Sequence, residues 1–238
     1  MGCRNKFGMT NMLYIVGTPI GNLEDLSYRQ GKILASSDII LTEDTRTTVF
    51  LLQKIESLFG FKKKKTQKLV SYYKEKEFER LPSVLKYIED GLQISLISQA
   101  GMPVISDPGY LLVSTVIKEG LPFTVVPGPS AVTTALTHSG FKAENSMFVG
   151  FLPKRRAELI KLLYKIRQIK TLFPDAVFIA FESPNRIQKS LQMISDILPD
   201  IEVVVARELT KKFEEAVRGK PSELEKRKYK GEITLLLS

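Results

Sequence analysis

The chain has 238 residues, of which 43% are hydrophobic, so a chain that is disordered throughout is excluded and one large or two small domains are expected. No stretch approaches the roughly 18 uninterrupted apolar residues of a membrane span. The single cysteine, Cys3, excludes an internal disulfide framework and a cysteine-rich zinc site. Arg4 and Lys6 are not followed by the apolar core and cleavage site of a secretory signal, so we expect a cytoplasmic protein.

The net charge of +9 is concentrated in three segments of the chain. Residues 61–80 carry eight basic and three acidic side chains, residues 154–170 carry seven and one, and residues 207–230 carry nine and five. Clusters of positive charge on an otherwise acidic chain favour a phosphate-rich partner such as RNA, although ordinary solvated lysine faces produce the same pattern.

Short apolar runs alternate with amphipathic stretches in the first part of the chain. The apolar runs predict five strands, at 12–16, 39–41, 69–71, 94–98 and 123–126. The amphipathic stretches predict five helices, at 31–36, 45–52, 78–90, 111–119 and 130–137. Strands separated by helices are typical of a largely parallel α/β sheet with helices on its faces.

The pattern changes after Gly140, where a second group of elements begins. It contains predicted strands at 147–149, 177–181, 201–206 and 233–237 and a basic helix at 156–168. Ser183 and Pro184 are typical of a helix cap and a first helical position, so a further helix is expected to run from there to about 198. The polar stretch at 144–146 predicts the boundary between an N-terminal domain, 1–144, and a C-terminal domain, 145–238.

Glycine and proline are concentrated in four turns that follow apolar runs, at 17–21, 101–103, 106–109 and 127–130. Ligands of open α/β sheets bind beyond the carboxyl ends of the strands, and glycine there lets the backbone approach a ligand closely. Tight connections alone would account for any one of these turns. None matches a G-x-G-x-x-G fingerprint or a P-loop, so the usual dinucleotide and nucleotide sites are excluded.

Polar residues follow three of the predicted strands. Glu43, Asp44 and Arg46 could orient a hydroxyl group or hold a phosphate, or could simply form a helix N-terminus. Residues 182–186 could belong to a functional site or could simply cap a helix. Arg207 could likewise belong to a site or form a structural ion pair. The acidic residues at 75, 77 and 79 are expected to form a solvated face, and His138, the only histidine, leaves no triad built on histidine.

The motifs as a set resemble those of the tetrapyrrole methylase superfamily, the class III S-adenosylmethionine methyltransferases, and within it the family that methylates the RNA of the small ribosomal subunit. The residues that carry the resemblance occur in the expected order at 13–25, 43–46, 100–110, 127–131, 150–153, 182–184 and 206–210. The match runs from Leu13 to Leu237. Gln99 and Met102 depart from the family pattern, which has an acid and a threonine there.

The resemblance implies two α/β domains of the tetrapyrrole methylase type with the cofactor cleft between them. The first domain would supply the donor loops and part of the substrate site, and the second would close over the donor. The implied reaction is methylation, by S-adenosylmethionine, of the 2′-oxygen of a cytidine ribose in the decoding region of 16S rRNA. A homodimer is also implied. The residues themselves, which include no long apolar run and no set of histidines and cysteines, lead us to expect no membrane association and no metal.

The resemblance also implies which residues touch the donor. They are Pro19, Gly101, Met102, Ile105, Ser130, Ala131, Ala180, Ala206 and Arg207. We further hypothesise that Glu43 or Asp44 supports the acceptor hydroxyl while Arg46 holds an adjacent phosphate. Lys154, Arg155 and Arg156, at the start of the basic helix, are the candidates for gripping the RNA backbone.

Three other functions remain compatible with the residues. A small-molecule methylase of the same superfamily would not require the basic segments. An RNA chaperone that binds the donor without catalysis is compatible with Gln99 and Met102. A basic α/β protein that binds RNA without any cofactor is the third alternative.

Overall fold

The computed structural model describes residues 12–238, so Cys3, Arg4 and Lys6 lie outside the described residues. The chain divides into two compact units, the first ending at Pro129 and the second spanning Ser130–Ser238. Each unit contains one five-stranded sheet. Between residues 12 and 238, no helix combines the length and the apolar character needed to span a bilayer.

The sheet of the first unit is parallel throughout. Its strands are β1 (Leu13–Val16), β2 (Ile39–Thr42), β3 (Lys68–Ser71), β4 (Ile94–Leu96) and β5 (Phe123–Val126). They lie side by side in the order β3-β2-β4-β1-β5, so the carboxyl ends of all five meet at one edge. The helices of this unit are α1 (Tyr28–Ser36), α2 (Thr45–Phe59), α3 (Glu77–Glu89) and α4 (Tyr110–Lys118), with short 3-10 turns at Leu23–Asp25 and Lys74–Lys76.

Helices cover both faces of the first sheet because successive strand residues point to opposite faces. Within β2, Leu41 packs with residues of α3 and α4, whereas Ile40 packs with residues of α1 and α2. All of β2 is buried, as expected for a central strand of a parallel sheet. A capping box of Ser27 and Gln30 begins α1.

The sheet of the second unit is mixed: β6 and β7 are parallel, and every other neighbouring pair is antiparallel. Its strands are β6 (Ser146–Phe151), β7 (Val177–Glu182), β8 (Val203–Arg207), β9 (Glu215–Gly219) and β10 (Ile233–Leu237), in the order β6-β7-β10-β8-β9. The helices are α5 (Ala131–Ser139), α6 (Arg156–Leu172), α7 (Ile187–Ile197) and α8 (Pro221–Leu224). Leu163 of α6, Leu191 of α7 and Leu235 of β10 belong to its apolar core.

The division between the units differs from the predicted boundary at 144–145. It lies after Pro129, because α5 contacts β10, β8 and β9 and therefore belongs to the second unit. The start of α7 also differs from its prediction. Residues 183–186 form a turn in which the Asn185 N–H donates to the Ser183 hydroxyl at 3.3 Å, and the helix begins at Ile187.

Candidate active site

The turns that follow β1 and β4 are joined at the carboxyl edge of the first sheet. Thr18 N–H donates to the Gly101 carbonyl at 2.8 Å, and Gly101 N–H donates back to the Thr18 carbonyl at 3.1 Å. The buried Thr18 hydroxyl donates to the Ser98 carbonyl at 3.2 Å, and the Ser98 hydroxyl donates to the Gly101 carbonyl at 3.0 Å. Two of the four predicted turns therefore form a single hydrogen-bonded structure.

A third turn, which follows β5, packs against the first one backbone to backbone. A Cβ atom on Gly17 would lie 2.7 Å from the Gly128 nitrogen and 2.6 Å from Met102 Sδ. A Cβ on Gly128 would lie 2.6 Å from Gln30 Nε2, which donates to the Gly17 carbonyl at 2.7 Å. Only glycine permits these approaches. The structure thus brings together the turns at 17–21, 101–103 and 127–129.

The exposed side chain of Ile105 is held between two residues in left-handed backbone conformations. Val104 has a φ of 74° and Ser106 a φ of 66°, and neither is a glycine. Such a conformation is strained, above all for a β-branched residue, and strained backbone is concentrated at ligand-binding sites. The Val104 N–H donates to the Pro108 carbonyl at 3.3 Å, so the chain folds back on itself around Ile105. Ile105 is 48% exposed, so packing within the unit does not explain why an apolar residue stands at this position.

The polar group after β2 is divided between two roles. Asp44 caps α2 by accepting from the Arg46 N–H at 2.8 Å, and its carboxylate also accepts from Arg46 Nε at 3.1 Å and Nη2 at 2.9 Å. The hydrogen bonds from Arg46 lower the pKa of Asp44. Asp44 therefore has the capping role that the sequence left open, and as a base it is weakened. Arg46 itself is exposed.

Glu43 lies beside a second acid that the sequence did not single out, Asp107. Burial raises the pKa of the Glu43 carboxyl. Burial, and then the negative charge of Glu43, raise the pKa of Asp107 to about 6, although the nearby Ser98 hydroxyl opposes the rise. Asp107 belongs to the turn at 106–109, which is conspicuous in the sequence for its glycine and proline. Its acidic side chain was the signal that could have identified it.

The remaining residues predicted to touch the donor belong to the second unit. Ser130 occupies the N-cap position of α5, with Ala131 as the first helical residue. Ala180 in β7 and Ala206 in β8 are buried, and both strands pair with β10. Arg207 Nε donates to Glu215 Oε2 at 2.7 Å, so the ion pair that the sequence left open is present. A role of these residues in donor binding stays a prediction.

The basic helix of the prediction is α6, and its charged side chains are on the surface. Leu159, Leu163 and Ile166 are buried against the second sheet. Lys154, Arg155 and Arg156 precede and begin the helix and are exposed. Arg155 Nη1 lies 3.4 Å from Glu158 Oε1, an exposed pair that leaves most of the positive charge uncompensated.

Comparison with known proteins places this fold among methyltransferases. A family model described as tetrapyrrole (corrin/porphyrin) methylases matches residues 12–225. A protein of Thermotoga maritima named ribosomal RNA small subunit methyltransferase I is 44% identical over 232 residues, covering 95% of this chain and 97% of its own. A protein of the same name from a Hydrogenobaculum species is 42% identical over 233 residues, with 95% of each chain covered.

A similar fold is found in a solved structure of the methyltransferase CobJ. Its TM-score is 0.68, and the alignment covers 96% of this chain and 94% of that one. The sequence identity is 14%, so the likeness concerns the fold.

Proposed function

Because the chain belongs to the tetrapyrrole methylases, and among them to the ribosomal RNA small subunit methyltransferase I family, we propose that it methylates small-subunit ribosomal RNA with S-adenosylmethionine as donor. The observation that carries this proposal is the 44% identity with the Thermotoga maritima protein over nearly the full length of both chains. The clustered positive charge at 154–170 supports an RNA substrate.

We propose that the acceptor is the 2′-hydroxyl of a cytidine in the decoding region of 16S rRNA. The motif resemblance supports this choice, and so does the chemistry of the sheet edge. Methylation of a ribose hydroxyl releases a proton, and acidic side chains are present at that edge in Glu43 and Asp107. A nucleobase nitrogen that is already nucleophilic would need no carboxylate to accept a proton.

The residues at the edge of the first sheet fit the donor. When bound, S-adenosylmethionine supplies a methyl group already activated on a sulfonium. The close approach of the turns at Gly17, Gly101 and Gly128 presents backbone groups, and Ile105 offers an exposed apolar surface. Pro19, Gly101, Met102 and Ile105 would hold the donor from this unit. Positioning of the reacting groups can contribute about 7–11 kcal/mol to catalysis.

The polar residues after β2 would then hold the acceptor nucleotide. Since Asp44 is engaged with Arg46 and with the N-terminus of α2, we assign the support of the acceptor hydroxyl to Glu43. Asp44 takes two of the five N–H donors of the Arg46 side chain. The other donors are sufficient to bind a phosphate oxygen next to the target ribose.

The exposed basic residues of α6 would bind the RNA backbone outside the reacting nucleotide. Phosphate contacts of this kind fix the position of the RNA without reading its sequence. The cytidine itself would be recognised unstacked, because a ribose in a base-paired helix is held away from a donor site of this kind.

The proposal is tested with small subunits purified from cells that lack this protein. The purified chain and S-adenosylmethionine should add one methyl group per subunit. The phosphodiester linkage after the modified cytidine should then resist alkali, because a methylated 2′-oxygen cannot attack the adjacent phosphorus. A methylated linkage that alkali still cleaves would contradict the 2′-oxygen as acceptor. Donor binding without any methylated RNA would favour an RNA chaperone, and transfer only to a tetrapyrrole would favour a small-molecule methylase.

The homodimer implied by the resemblance belongs to the same proposal. Sedimentation equilibrium of the purified chain should give twice the monomer mass of 26.8 kDa. A monomer at micromolar concentration would contradict it.

A further inference from the structure

Asp107 is a half-buried acid in the turn before α4, and the proposed function assigns it no individual role. It lies at the edge of the first sheet where the chain bends sharply between Val104 and Gly109. Burying a carboxyl group beside another negative charge costs free energy. The folded protein is destabilised by this free energy at the edge where the turns of β1, β4 and β5 meet.

The position of Asp107 follows from the pairing of β2 with β4. Leu41 and Leu96 are paired in these parallel strands, so Glu43 and Ser98 leave the sheet side by side two residues later. The turn after Ser98 is tied back by Gly101 to Thr18. It then returns Asp107 to the vicinity of the Ser98 hydroxyl and of Glu43.

The far end of the same turn is fixed by a third acid. Glu77, from α3, accepts hydrogen bonds from the Gly109 N–H at 3.1 Å and the Leu111 N–H at 2.9 Å. The acidic groups along this turn are therefore Glu43, whose charge reaches Asp107, and Glu77, which holds the backbone from Gly109 onward. Of these two, Glu43 is the one whose charge acts on the Asp107 carboxyl.

We propose that Asp107 is the catalytic base of the methyl transfer and that Glu43 supports the acceptor hydroxyl through Asp107, as a positioning residue. This inference rests on the proposed function. The 2′-oxygen forms a bond to the methyl carbon, the bond between that carbon and the sulfonium sulfur breaks with its electron pair going to sulfur, and the hydroxyl proton passes to an Asp107 Oδ atom.

A base in this position is matched to work near neutral pH. A free aspartate, with a pKa near 3.8, would be a poor proton acceptor, whereas at a pKa of about 6 the carboxyl is still ionised at pH 7.5 and accepts a proton more readily. Burial and the neighbouring Glu43 charge together keep the pKa of Asp107 raised, so the two residues are expected to titrate as a coupled pair.

The experiment measures single-turnover methyl transfer to unmethylated small subunits between pH 5 and 9, and the carboxyl titration of Asp107 by carbon-13 NMR in the donor-free protein. In the wild type both should show a midpoint near pH 6. Asp107→Asn should slow transfer about 100-fold or more, with donor and RNA affinities close to wild type, and Asp107→Glu should recover part of the rate. Asp90→Asn, which changes an exposed acid of the same unit, is the matched control.

The Glu43→Gln variant gives a readout that does not depend on activity. It should lower the NMR midpoint of Asp107 by about half a pH unit or more, and the rate profile should move with it. An Asp107→Asn variant that transfers methyl groups as fast as the Asp90→Asn control overturns the assignment, and so does an Asp107 midpoint unchanged in Glu43→Gln. Wild-type protein that methylates no small-subunit RNA at any pH overturns the proposed function itself.

Discussion

The carboxylate of Glu77, in the first turn of α3, accepts a hydrogen bond from the backbone N–H of Leu111, in the first turn of α4, at 2.9 Å. It also accepts from Gly109 N–H at 3.1 Å, at the N-cap position of α4, where glycine offers no side chain of its own. One helix thus supplies the cap of the next. The same contact fixes the end of the turn that carries Ile105 and Asp107.

Replacing this cap should destabilise the first unit measurably. Glu77→Ala removes a charged acceptor from the N-terminus of α4 and should lower the free energy of unfolding by about 1–2 kcal/mol, measured by urea denaturation. Glu79→Ala, two residues away and exposed, should change it by less than about 0.5 kcal/mol. Equal losses in the two variants would show that Glu77 belongs to a solvated face, as the sequence alone suggests.

The backbone contact between Gly17 and Gly128 makes a second prediction. Gly17→Ala places a methyl group 2.7 Å from the Gly128 nitrogen, so the two turns must separate. We expect a loss of about 1–3 kcal/mol in unfolding free energy and at least a tenfold loss in S-adenosylmethionine affinity, measured by calorimetry. The Met102→Ala change should not rescue Gly17→Ala, because the backbone clash with Gly128 persists. If Gly17→Ala bound S-adenosylmethionine with wild-type affinity, this sheet edge would not be part of the donor site.

The charge on α6 predicts how RNA binding depends on salt. Neutralising Arg155 and Arg156 to Gln should weaken binding to small subunits and lower the slope of log affinity against log salt by about one for each phosphate that is no longer neutralised. Lys118→Gln with Lys189→Gln removes the same charge from exposed positions outside the three basic segments and should leave the slope near its wild-type value. The same slope in both double variants would place the RNA elsewhere.

The sequence predicted the first sheet well because each of its strands is a short apolar run beside a helical stretch. Strand β2 is buried along its whole length and lies between Asp38 and Glu43, so both its existence and its limits could be predicted. Strand β9 was not predicted. It is an edge strand, and its residues, Glu215–Gly219, are partly exposed and include charged side chains. The strand is held by its backbone pairing with β8, so the sequence carries no apolar run that would predict it.

The candidate site could be predicted only where its residues are adjacent in the chain. Glu43, Asp44 and Arg46 follow one strand, and their grouping was evident, but the division of roles between Asp44 and Glu43 depends on side-chain contacts. Asp107 meets Ser98 and Glu43 only because the turn after β4 folds back. Glu77 caps a helix whose N-cap residue, Gly109, lies 32 residues further along the chain. Contacts at such separations leave no periodic pattern in the sequence.

The raised pKa of Asp107 predicts that this acid destabilises the folded protein above about pH 6. The folded-state pKa lies above the unfolded value of 3.8, so the folded state binds more protons between these values and stability falls as the pH rises through that window. Asp107→Asn removes the penalty. The variant should therefore unfold at a temperature several degrees above wild type at pH 8, and the gain should shrink towards zero at pH 4. Asp90→Asn should show no such dependence on pH. A stability difference between Asp107→Asn and wild type that is constant from pH 4 to pH 8 would mean that Asp107 titrates as an ordinary solvent-exposed acid.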